Sequence, residues 1–154
     1  IFEKAGLKLV FPVGGCSEVI TNEIIKKSKY GYLSHSCIRG ELGKDCGKCY
    51  KCFRKNLLNG KKTHISEEVK RFLNKKKLKQ GDSLVYAYQK YGKKVEELEK
   101  YKNVDVSFLE RYSPIANKKL IPEALIENTE SKLKKYGIEP MTMKDLFKLE
   151  NFKL

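Results

Sequence analysis

Four cysteines within sixteen residues constrain this chain more than any other feature. In SCIRGELGKDCGKCYKC, Cys37, Cys46, Cys49 and Cys52 follow the spacing C-x8-C-x2-C-x2-C. Three thiols at steps of three share one face of a tight loop or helical turn, and a fourth returning from a short loop completes a tetrahedron. Four soft thiolates in a closed shell suit a structural Zn2+ and leave no position for a catalytic water. Arg39, Lys44, Lys48, Lys51, Arg54 and Lys55 surround the site in sequence, where cations lower thiol pKa values and offset the negative charge of four thiolates. A closed zinc site supplies about 10–16 kcal/mol of apparent binding free energy, enough to decide whether such a loop folds. Two other chemistries use clustered cysteines. Ferredoxin-type iron–sulfur loops continue with x3-Cys-Pro, whereas Cys52 is followed by Phe53-Arg54-Lys55. A disulfide framework distributes its bridges, yet no cysteine occurs after Cys52. Zinc is the favoured reading of the three, and Cys16, outside the cluster, reads as a core cysteine.

Composition narrows the setting. Lys and Arg number 33 against 19 Asp and Glu, a formal charge of +14, which suggests an anionic partner. Arginine, the usual bidentate reader of bases and phosphates, is limited to Arg39, Arg54, Arg71 and Arg111. The charge is spread along the sequence: residues 1–60 hold 11 basic and 5 acidic groups, residues 61–154 hold 22 and 14. A solvated lysine surface explains these numbers as well as nucleic-acid binding does. No run approaches the length of an apolar membrane span, and Glu3, Lys4 and Lys8 interrupt any secretory segment. Together with the clustered thiols, this predicts a cytoplasmic protein without a membrane partner. A chain beginning at Ile1 is expected to be processed or to be part of something longer.

Along the chain, residues 7–13 (LKLVFPV) read as a short buried strand ending at Pro12. Gly14-Gly15 makes a turn, and Ser17 caps a helix beginning at Glu18 and stopped by Gly31. Residues 33–58 are the cysteine segment. From Asn59-Gly60 onward the pattern becomes helical, with helices opening at Ser66-Glu67-Glu68 and at Gly81-Asp82. Further helical pieces are predicted around 93–102, 105–112, 122–136 and 142–149, the last with Thr142 and Asp145 in a capping arrangement. Tyr86, Tyr88, Tyr91, Tyr101, Tyr112 and Tyr136 are expected to pack at the core or its rim rather than to form a stacking platform. The predicted organisation is a segment over residues 1–58 carrying the zinc loop and a lysine-rich helical extension over 59–154.

The cysteine spacing, with Ser36 before the first cysteine, Cys46-Gly47, and Arg54 just after the last, resembles 7-cyano-7-deazaguanine synthase, a family of PP-loop ATPases. The likeness covers about residues 7–58. It implies a fold class: an α/β remnant, the C-terminal part of a Rossmann-like PP-loop fold, with a four-cysteine zinc loop followed by a mainly α-helical extension. It also implies that Cys37, Cys46, Cys49 and Cys52 are the zinc ligands. In this family an SGGxDS loop binds ATP for adenylation of a substrate carboxylate, in nucleoside biosynthesis. That loop has no match here. Val13-Gly14-Gly15-Cys16-Ser17 lacks its opening Ser and its Asp, and reads as a turn and cap. ATP with Mg2+ would therefore belong to an intact parent, and this fragment alone would be inactive.

The expected function is thus a zinc-binding C-terminal domain of an ATP-dependent ligase or amidotransferase, partnered by an N-terminal PP-loop half or by a second copy. Its catalytic residues are unknown. Arg39 and Arg54, with His35, are the candidate contacts for a substrate carboxylate or phosphate; His35 is also a candidate ligand, although an exposed bystander is the commoner role. The alternative is a zinc-dependent nucleic-acid-binding or protein-interaction module. Overlapping CxxC pairs with an isolated Cys37 differ from the two separate knuckles of a zinc ribbon.

Overall fold

In the computed structural model, residues 4, 6, 10–35, 37–75, 78, 80–92 and 95–152 are described. Helices dominate them: α1 (Glu18–Lys27), α2 (Tyr50–Leu58), α3 (Glu67–Leu73), α4 (Gly81–Tyr91), α5 (Pro114–Leu120), α6 (Glu123–Lys135) and α7 (Met143–Asn151). Short 3₁₀ turns lie at Gly31–Leu33, Glu96–Tyr101 and Ser107–Glu110. Among the described residues there is no sheet, only isolated bridges between Glu41 and Lys44 and between Tyr112 and Pro140.

This overturns the expected α/β remnant of a Rossmann-like fold. Residues 7–9 of the predicted strand lie outside the described residues, as do Ser36 and residues 93 and 94. Within the described part, residues 12–15 form turns instead, with Gly14 N–H donating to Phe11 C=O and Cys16 N–H to Val13 C=O, each at 2.9 Å. The physical reason is partnership. A strand must hand its backbone groups to neighbours, and the chain offers one apolar run of strand type where a Rossmann half needs several.

The described residues gather into two compact units. The first is drawn from residues 1–24 and 108–151. Ile20, Tyr112, Leu133 and Ile138 form its core, with Cys16, Ile24 and Tyr136 packed against them. Ser17 begins α1 as predicted: its Oγ accepts from Ile20 N–H at 3.2 Å and donates to Leu109 C=O at 2.5 Å. Helix α5, unforeseen in sequence, has Ser113 as its cap and Pro114 in its first turn. Helix α6 closes with Gly137 N–H on Lys134 C=O and Ile138 N–H on Leu133 C=O, the paired bonds of a Schellman ending.

Gly15 joins the two sequence-distant parts of this unit, its carbonyl accepting from Ser113 N–H at 2.7 Å. A Cβ at this position would stand 2.3 Å from Asn117 Oδ1 and 2.5 Å from the Ser113 carbonyl oxygen. Asn117 is fully buried and cannot retreat. Gly15→Ala is therefore expected to lower stability by about 1–3 kcal/mol, measured as a shift of the urea unfolding midpoint. A wild-type midpoint would show that the turn yields.

The second unit spans residues 25–107 and also takes in residue 152. The predicted boundary at residues 58 and 59 falls inside it, because α2 packs on both α3 and α4. Helix α4 also packs on the 3₁₀ turn Glu96–Tyr101. Phe53, Leu57, Val69, Leu84, Val85 and Leu98 are fully buried and supply the core. Ser66 caps α3 through Val69 N–H, as its sequence position predicts.

Candidate metal centre

The four clustered cysteines come together in the second unit. Cys37 and Cys46 are placed by the loop ahead of α2, Cys49 is the residue that precedes its first turn, and Cys52 lies within that turn. Gly47 adopts φ +69°, the left-handed region that glycine enters without steric cost, and so folds the Cys46–Cys49 turn back on itself. The ligand atoms all lie within 4.8 Å of one another. Cys49 Sγ and Cys46 Sγ are 3.5 and 3.7 Å from Cys52 Sγ. A tetrahedron with Zn–S bonds of about 2.3 Å has edges of about 3.8 Å, so the spacing is that of thiolates around one ion. No disulfide links any cysteine of the chain.

Backbone N–H groups point at the sulfurs. The Cys37 thiol is lowered to about 6 by the N–H of Cys46, with a smaller contribution from that of Arg39. Cys46 is lowered by the N–H groups of Lys48 and Cys49. Cys52 behaves in the opposite sense: burial first, then the neighbouring Cys37 and Cys49 sulfurs, push it well above the ordinary thiol range. Three of the four are buried and Cys46 is half-buried. Backbone donors that favour the thiolate at Cys37 and Cys46, beside a buried Cys52, make a donor set that a dication would complete, since bound metal deprotonates its thiols outright.

Helix α3 braces the loop. Glu68 accepts from Arg39 Nη1 at 2.5 Å and from Tyr50 N–H at 3.3 Å, and Ser66 Oγ donates to Lys48 C=O at 2.8 Å. Sequence reasoning missed Ser66 and Glu68 as supports of the site. They lie beyond any metal-ligand spacing, and their only visible signal was the start of a helix.

The other predicted site residues divide. Arg39 and Arg54 line one cleft of about 340 Å³ beside Cys37 and Cys49, floored by Tyr50 and Phe72, whose rings stack at 4.6 Å. Arg54 is buried, while Arg39 is largely exposed. His35 is not among the described lining residues; its Nδ1 lies 3.6 Å from an Asp45 carboxylate oxygen. Nor does His35 belong to the sulfur cluster. Cys16, half-buried, packs against the core of the first unit, where burial pushes its thiol up to about 11. Among the described residues no helix is long and apolar enough to cross a membrane.

No curated protein and no solved structure matches the chain. Over residues 1–153 it matches the family described as "Family of unknown function (DUF6395)", and it belongs to that family.

Proposed function

We propose that the chain is a zinc-stabilised binding module in which Cys37, Cys46, Cys49 and Cys52 hold one structural Zn2+. The observation that carries this reading is the convergence of four free thiol sulfurs within 4.8 Å. Four protein sulfurs fill a tetrahedral shell, so the ion has no position for substrate or water and acts through folding. It joins the loop bearing Arg39 to the helix bearing Lys51 and Arg54. These three cations line a cleft in which Glu68 already engages Arg39, leaving a net positive charge suited to the carboxylate or phosphate of a small ligand. The cysteine spacing further supports a setting in an ATP-dependent ligase, with ATP and Mg2+ held by a PP-loop segment outside residues 1–154. An SGGxDS loop in the preceding reading frame tests that setting.

The module itself is tested by elemental mass spectrometry on protein purified without added metal. One zinc per chain is expected. Iron with acid-labile sulfide, or a metal-free protein with its fold intact, overturns the reading.

A further inference from the structure

The positive charge is concentrated in the middle of the chain, which folds as the cysteine-bearing unit. Residues 25–107 with 152–154 hold 23 Lys and Arg against 9 Asp and Glu, while residues 1–24 with 108–151 hold 10 of each. The whole excess of +14 belongs to the cysteine-bearing unit, and the other is neutral. A general preference for lysine would act on both units alike. The neutral unit has lysines too, each balanced by an acid.

One surface of the charged unit combines this excess with exposed rings. The end of α1 and the 3₁₀ turn after it read KKSKYGYL, with Lys26, Lys27 and Lys29 preceding Tyr30 and Tyr32. Tyr30 is 59% exposed and Tyr32 82%. Lys29 Nζ lies 4.9 Å from the Tyr30 ring centre. Lys26 Nζ lies 5.8 Å from the ring centre of Tyr91 and 3.4 Å from its hydroxyl. The Tyr91 ring in turn lies against Gly60, which brings the exposed Lys61 and Lys62 to the same neighbourhood. Contacts of the half-buried Tyr91 with Lys26 and Gly60 thus bring three stretches far apart in sequence together, with Tyr30 and Tyr32 as the exposed rings.

We infer that this strip, running from Lys26–Tyr32 across Tyr91 to Lys61 and Lys62, binds single-stranded nucleic acid without regard to sequence. Lysines track phosphates as point charges, and exposed rings offer stacking faces that any unpaired base fits. The strip has no arginine, the residue that reads base edges bidentately, so it tracks a strand and does not select one. A duplex hides its base faces and leaves the rings without a role. An anionic membrane attracts the same lysines and also seats aromatic rings and exposed leucines such as Leu33 at its interface. Vesicle binding is therefore the outcome that would assign the strip to a membrane instead.

The test is fluorescence anisotropy with the full chain as purified. Labelled DNA and RNA strands of about 20 nucleotides, the matching duplex, and phosphatidylserine vesicles are compared from about 50 to 200 mM NaCl. Strands are expected to bind more tightly than duplex or vesicles, with affinity falling steeply in salt. Tyr30→Ala with Tyr32→Ala is expected to weaken strand binding about tenfold or more at an unchanged salt slope. Tyr30→Phe with Tyr32→Phe, which keeps the rings, restores it. Reversing Lys26, Lys27 and Lys29 to Glu flattens the slope. Both tyrosines are exposed, so the variants should keep the wild-type circular dichroism. Absence of strand binding at about 50 mM NaCl, equal affinity for duplex or vesicles, or indifference to loss of both rings overturns the proposal.

Discussion

Cys52→Ser is expected to abolish stoichiometric zinc binding and to unfold the cysteine-bearing unit. Cys52 is 3% exposed, lies 3.5 and 3.7 Å from the Cys49 and Cys46 sulfurs, and immediately precedes Phe53, which is fully buried in the core of the same unit. Losing the metal therefore releases the loop from the helix around which α3 and α4 pack. The apparent binding free energy of a structural zinc, about 10–16 kcal/mol, is on the scale of the whole stability of a domain, about 5–15 kcal/mol. The variant should hold well under one zinc per chain and lose part of its far-UV helical signal at about 25 °C. Wild type treated with a strong chelator should lose the same part. Cys16→Ser serves as the control, because Cys16 lies in the other unit and should leave zinc content unchanged. A Cys52→Ser protein that melts with wild type and retains its zinc would remove the metal from the account of folding.

Asp145→Ala is expected to lower the stability of the first unit by about 3 kcal/mol. The Asp145 carboxylate is buried and one oxygen accepts three bonds: from Thr142 Oγ1 at 2.7 Å, Thr142 N–H at 3.0 Å and Arg111 Nη1 at 2.7 Å. Its own N–H donates back to Thr142 Oγ1 at 3.2 Å, closing the reciprocal cap of α7. Loss of a helix cap costs about 1 kcal/mol, and loss of a charge-assisted bond about 1.5–3 kcal/mol. Thr142 holds the carboxyl down to about 2, with Arg111 assisting, against an ordinary 3.8. A depressed carboxyl stabilises the folded state fully above its unfolded value. The contribution of Asp145 is therefore intact above about pH 4 and drains away as the pH falls towards about 2. Urea titrations at about pH 7 and pH 3 check both points: the gap between wild type and Asp145→Ala should narrow in acid. An equal gap at the two pH values would assign the loss to packing alone.

Much of this molecule was legible from local sequence because the interactions concerned are local. Ser17, Ser66 and the Thr142–Asp145 pair each cap a helix with atoms three residues away, so the cap and the start of the helix can be read together. The cysteine cluster was legible for a related reason. Ligands separated by two residues can reach one ion only by turning tightly, and Gly47 makes the turn possible. The apolar run misled over its described part, residues 10–13, because a strand is stable only with partners, and none exists among the described residues. Helix α5 escaped notice: its seven residues carry two adjacent lysines in the last turn and bury Asn117 rather than an apolar stripe.

By itself the sequence determined the sulfur cluster, the helix caps and the total charge, all properties of short spans or of simple addition. Tertiary structure alone decided that residues 1–24 and 108–151 gather into one unit, apart from the basic middle of the chain. It alone set Glu68 against Arg39, and Tyr91 between Lys26 and Gly60. These pairings join residues far apart along the chain, and nothing in a linear pattern encodes them. They follow from burying several amphipathic faces at once, a condition that only the packed chain satisfies.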